Sequence, residues 1–131
     1  MSRSLFCLDG EIVNRVVPQT VTIASGESLS GEVGLRGSYS PLGQYQVVGI
    51  QFPSSWTTAD VTFAVSADGS TFVPLYWDDL EYTVGAAAST AVSVEPAALA
   101  GWPFVKIRSG TSGTPVNQAA ERSIEVLTRV V

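Results

Sequence analysis

Apolar residues return at every second position in short runs along most of this chain, and no segment carries a sustained helical period. Successive side chains of an extended backbone point to opposite faces, so this alternation predicts half-buried strands. In LSGEVGLR, residues 29–36, Leu29, Gly31, Val33 and Leu35 fall on one face and Ser30, Glu32, Gly34 and Arg36 on the other. In YQVVGIQF, residues 45–52, Val48, Ile50 and Phe52 share a face, and Pro53 ends the run because it cannot donate to a ladder. Further strands are predicted at residues 20–24, 60–66, 71–76, 81–84, 91–94, 104–109 and 122–130. Between them lie the turn-formers SGES, RGSYSPLG, ADGS, VGAAAST and SGTSGTPVNQ, and one helical turn is expected within EPAALAGW, residues 95–102.

Eight or nine short antiparallel strands at this spacing predict an all-β, single-domain β-sandwich, with a jelly roll as the expected arrangement. The sandwich is assigned to residues 18–131, and residues 1–17, which lack a clean pattern, to an N-terminal arm or a first edge strand. No repeat or linker divides the chain. At 131 residues it has room for one real core, with roughly two-thirds of the unfolded surface becoming buried.

Apolar residues make up 45% of the chain and charged residues 15%, too apolar a mixture for a disordered segment. A net charge of −5, with Lys106 the only lysine, argues against a nucleic-acid partner, which needs a basic stripe. No basic amphipathic helix or long apolar run suggests membrane insertion. Cys7 is the only cysteine, so no disulfide forms within the chain, and zinc-ligand spacing is absent. Histidine, the commonest general base and metal ligand, is missing altogether. The apolar run at residues 5–8 is too short for a secretory leader, which places synthesis and assembly in a cytoplasm.

The stretch VTFAVSADGSTFVPL, residues 61–75, reads as a hairpin. Val61, Phe63 and Val65 alternate with Thr62, Ala64 and Ser66, and Asp68-Gly69 supplies the turn, since Gly69 accepts positive φ. A type I turn with Gly69 in a bulge would set Thr71, Val73 and Leu75 opposite Val65, Phe63 and Val61. Pro74 then places the returning strand at an edge, or in a bulge there.

Candidate chemistry is sparse. Asp78, Asp79 and Glu81 in YWDDLEY could approach a calcium ion, but the run lacks the alternating pattern and glycine of a dedicated loop, and an exposed acidic turn accounts for it. Tyr76, Trp77 and Tyr82 beside Asp78 and Asp79 form the candidate glycan-binding patch: rings stack on the apolar face of a sugar while carboxylates accept hydroxyl protons. Trp56 and Trp102 read as large side chains closing the ends of the sandwich. No nucleophile elbow is present, and nothing pairs Asp60, Asp68, Asp78, Asp79 and Glu95 as a glycosidase requires. The expectation is a protein without catalytic residues, cofactor or metal.

Two resemblances extend this reading. Ser66, Asp68, Gly69 and Phe72, followed by Lys106, Ile107 and Arg108, resemble the S-x-D-G turn and the later R-x-I-R-like strand of discoidin-type, galactose-binding-like jelly rolls. The layout covers residue 48 to about residue 129, with shorter loops than that family carries and no disulfide. The segment from SLSGEVGLRG to SIEVLTR, about residues 27–129, is similar in overall pattern to small virion proteins of tailed bacteriophages and gene-transfer particles. That resemblance implies a non-enzymatic subunit on the particle: a capsid decoration, head-spike or fibre-base protein, or else a tail or neck component. The partners it implies are further copies of the chain, as a trimer or a five- or six-fold ring, and other virion proteins such as the major capsid or a spike. A carbohydrate-binding module for host surface glycans is the other reading.

Overall fold

A computed structural model describes residues 16–35 and 45–130. Ten strands and one helical turn follow in order: β1 (Val16–Ile23), β2 (Leu29–Val33), β3 (Tyr45–Gln51), β4 (Val61–Ser66), β5 (Val73–Pro74), β6 (Tyr76–Trp77), β7 (Leu80–Glu81), β8 (Ala91–Ser93), α1 (Pro96–Leu99), β9 (Phe104–Ser109) and β10 (Arg122–Val130). Eight of them form two four-stranded antiparallel sheets, ordered β1-β10-β3-β8 and β2-β9-β4-β5, and β6 pairs with β7 as a separate hairpin. The molecule is an all-β sandwich.

The core lies between the sheets. From one side come Val21, Ile23, Val47, Ile50, Ile124 and Val126, and from the other Val61, Phe63, Val65, Val105 and Ile107, all buried. Each such side chain taken from water stabilises the fold by about 1.5–3 kcal/mol before entropy is counted. Alternation survives best in β9, where Val105, Ile107 and Ser109 are buried and the residues between them half-buried. In β4 every residue is buried. Its outward positions are covered by polar contacts instead of water: Thr62 Oγ1 donates to the Gly110 carbonyl at 2.8 Å, and Ser66 is drawn into the following turn.

Two bulges correct the faces expected from alternation. In β2 the register against β9 shifts between Leu29 and Glu32, which buries Ser30 and leaves Gly31 exposed. Ser30 Oγ accepts from the Ile107 amide at 2.9 Å and donates to the Gly31 carbonyl at 2.7 Å, so the break in the ladder is filled by a hydroxyl. In β3 the shift falls opposite Leu127/Thr128, and Val48 is the extra residue. Buried positions therefore switch from Tyr45 and Val47 to Ile50 and Phe52, with Val48 only half-buried.

The 61–75 hairpin forms with a longer connection than expected. Val73 lies opposite Val65 and Pro74 opposite Ala64, two residues from the anticipated register. The turn holds more residues because Asp68 organises it. Asp68 Oδ1 accepts from the Ser70 and Thr71 amides at 2.8 and 3.0 Å and from Ser66 Oγ at 2.9 Å. Ser66 Oγ in turn accepts from the Asp68 and Gly69 amides. Gly69 has φ +83°, and a Cβ there would meet the Phe104 ring at 3.2 Å. β5 is the edge of its sheet, where Pro74 has no ladder bond to lose.

The strand expected at 71–76 is divided between β5 and β6, and that at 81–84 shrinks to β7 plus a bridge between Val84 and Val61. β1, at the edge of its sheet, begins at Val16, two residues inside the segment assigned to an arm or first edge strand; residues 1–15, Cys7 among them, lie outside the described residues. The helical turn expected in 95–102 is α1, with Pro96 opening it and Glu95 accepting from the Ala97 amide at 3.4 Å. Trp56 is buried against Phe52, ring centroids 5.0 Å apart, and Trp102 packs half-buried on the core.

Candidate functional site

The segment that follows β5 folds onto the margin of the sandwich instead of joining a sheet. Its hairpin sets Tyr76 opposite Glu81 and Trp77 opposite Leu80 across the two-residue turn Asp78-Asp79. Asp78 has φ +59°, the sign that two-residue hairpin turns favour at their first central position. Both arms are short because the backbone then turns in. The Tyr82 amide bonds the Leu75 carbonyl at 2.9 Å, and Val84 exchanges two 2.9 Å bonds with Val61.

Tyr82 is the hinge between this hairpin and the core. Its ring stacks on the fully buried Phe63, centroids 5.7 Å apart with planes 23° from parallel, and Trp77 tilts against it at 5.6 Å and 56°. Its hydroxyl accepts from the Glu95 amide at 3.0 Å, just beyond β8. One side chain thus ties β4 of one sheet to the end of β8 in the other.

Glu81 is equally committed. Its carboxylate accepts from the Ser112 amide at 3.1 and 3.2 Å and from Ser112 Oγ at 3.1 Å, and pairs with Arg108 Nη1 at 3.5 Å. The two charged side chains are only 14% and 13% exposed, so water screens the pair weakly. The Arg108 guanidinium reaches Thr62 Oγ1 as well, at 3.4 Å.

Together these residues enclose an open depression of about 610 Å³ lined by Trp77, Asp78, Leu80, Glu81, Tyr82 and Thr83. Of the five residues of the proposed glycan patch, Trp77, Asp78 and Tyr82 are brought together here. Tyr76 and Asp79 are exposed but do not line the depression. Leu80, 76% exposed, and Thr83 are lining residues that the sequence reading did not single out. The signal for Leu80 was present: a two-residue turn at 78–79 pairs it with Trp77.

The remaining carboxylates serve local structure. Hydrogen bonds from the Thr71 and Ser70 amides, and then from the Ser66 hydroxyl, lower the Asp68 pKa to about 2. Asp60 Oδ1 accepts from the Ala86 amide at 3.3 Å, and Glu95 caps α1. Among the described residues no three His, Cys, Asp or Glu side chains lie close enough to share a metal ion. No helix among them is long and apolar enough to cross a membrane.

A second polar cluster is wholly internal. Gln118, fully buried, donates to Ser109 Oγ at 2.8 Å and to the Thr57 carbonyl at 3.1 Å, and accepts from the Thr57 amide at 2.8 Å and Arg122 Nε at 3.1 Å. All its bonding capacity is used within the fold, so it pins three loops together and offers nothing to a ligand.

No family model, no curated protein and no solved structure matches this chain.

Proposed function

We propose that this chain is a non-enzymatic structural subunit of a tailed bacteriophage or phage-like particle, carried on the particle surface as a decoration, head-spike or fibre-base protein and assembled as a homo-oligomer. The observation that carries the reading is the margin made by β1 and β2, which is left unpaired among the described residues. Among the described residues β1, eight residues long, pairs only with β10, β2, five long, pairs only with β9, and no backbone bond reaches the other edge of either strand. Val16 at the start of β1 is 50% exposed. Long bare edges invite pairing with another chain, and a particle subunit has one to offer in the next copy.

The strand orders β1-β10-β3-β8 and β2-β9-β4-β5 are, in this reading, those of a jelly roll, an architecture used by viral capsid and lectin domains alike. Architecture alone does not assign a role. The likeness of residues 27–129 to small virion proteins adds the particle, and the local engagement of Asp60, Asp68, Glu81 and Glu95 speaks against a catalytic pair. Multi-angle light scattering on the purified full chain tests the assembly: a mass several times 13.8 kDa is expected. A monomer at every concentration, with no partner that assembles it, would overturn the proposal.

A further inference from the structure

The depression beside β6 and β7 lies on the opposite margin from β1 and β2, so an occupant there does not compete with assembly through the bare edges. Its volume, about 610 Å³, is in the range of roughly 300–1,000 Å³ typical of small-molecule sites. We propose that it is a carbohydrate-binding site for neutral sugars, in which Trp77 supplies the stacking surface and Asp78 accepts hydroxyl protons.

Three features select this ligand class. First, the aromatic wall is braced. Trp77 is 40% exposed, yet it leans on Tyr82, whose ring is held by Phe63 and whose hydroxyl is held by the Glu95 amide. A ring already fixed loses little entropy when a sugar face settles on it. Second, the charged groups lining the depression are acceptors. Arg108 and Ser112 occupy both oxygens of Glu81 and fix it as part of the wall, while the Asp78 carboxylate takes no hydrogen bond from any described residue and is the acceptor left for a ligand. A ligand that donates several hydroxyl protons is matched, and an anionic sugar is repelled.

Third, one of the two carboxylates lining the depression is neutralised by Arg108, which leaves Asp78 as the single uncompensated charge for a cation to meet. Arg108 sits 3.5 Å from Glu81, which cancels much of the attraction that a quaternary ammonium or a lysine would need. Leu80 and Trp77 add apolar surface for the C–H face of a pyranose.

The test is binding of the full chain, in whatever oligomeric state it purifies, to an array of neutral and acidic oligosaccharides, with the best neutral hit titrated by calorimetry. The expected result is saturable binding to neutral sugars, weakened about tenfold or more by Trp77→Ala. Asp78→Gly should also weaken binding although glycine suits the φ of +59° and favours the fold, so its loss cannot be assigned to misfolding. Asp79→Ala, outside the depression, should bind as the parent does. No binding to any neutral sugar, equal binding by Trp77→Ala, or binding of choline chloride in place of sugars would overturn the proposal. The oligomer mass is unaffected by any of these outcomes, so this site and the assembly stand or fall separately.

Discussion

On the β5/β8 margin, the outer edge of β4 is bonded along its length by β5, Leu75 and Val84, and Tyr82 spans from Phe63 in one sheet to Glu95, two residues past the end of β8 in the other. On the β1/β2 margin, β1 packs against β2, and among the described residues the bond between the two sides is a single one from Gln19 Nε2 to the Gly34 carbonyl, just beyond β2. The strands differ in length in the same sense, three and two residues on the closed side and eight and five on the open one, while each side carries one proline, Pro74 in β5 and Pro18 in β1. A short edge capped by its own chain is how a β protein avoids unwanted pairing, while a long uncapped edge is tolerable when a partner covers it. The two proposals place different work on the two sides, ligand on the closed margin and assembly on the open one.

The largest expected effect comes from opening the closed side. Tyr82→Ala removes the ring between Phe63 and Trp77 and should cost about 2–4 kcal/mol in urea unfolding, because the lost packing leaves a cavity that cannot collapse fully. Amides of β5 and β8 should lose exchange protection in the same variant. A cost near that of an ordinary surface change would mean that Tyr82 does not close the sandwich.

Next come two single bonds, one from each margin. Tyr82→Phe deprives the Glu95 amide of its acceptor, and Gln19→Ala deprives the Gly34 carbonyl of its donor. Each should cost about 0.5–1.5 kcal/mol. Only Gln19→Ala should change the oligomer mass, since only that bond belongs to the side assigned to assembly.

A smaller effect of opposite sign is expected at the β6–β7 turn. Asp78→Gly should stabilise the fold by about 0.5–1 kcal/mol, read as a raised urea midpoint, because the aspartate holds a left-handed φ of +59° that glycine adopts freely.

The smallest effect lies in the Asp68 turn. Its folded pKa, about 2, is below the usual carboxylate value, so its contribution is fully present above the unfolded pKa of about 3.9 and is lost as pH falls through 2. Between pH 5 and pH 2 the urea midpoint should therefore fall further in the parent than in Asp68→Asn, which keeps an acceptor oxygen but no titration. Equal slopes would show that the turn does not depend on the charge.

Much of this was legible in the residues, and the limits have physical causes. The period-two runs located every sandwich strand, and in β9 and β10 the cause is plain, since alternate residues are buried against the opposite sheet. They misplaced Ser30 and Val48 because a bulge is decided by the partner strand, β9 or β10, which the local pattern cannot see. The hairpin slipped by two because Asp68 recruits Ser70 and Thr71 into its turn. Trp77, Asp78 and Tyr82 could be read as a patch from their juxtaposition alone. Alternation across a two-residue turn then brought in Leu80 and left Tyr76 outside. Tyr82's role as a brace needed Phe63 and Glu95, far from it in sequence, and no local feature announces them.

Hydrogen exchange of the β1 amides, followed as protein concentration is raised, addresses the central contrast most directly. If sister copies cover the open margin, protection in residues 19–23 rises with concentration while that of β8 stays constant. Exchange in β1 that is independent of concentration, in protein shown to be oligomeric, would contradict the account.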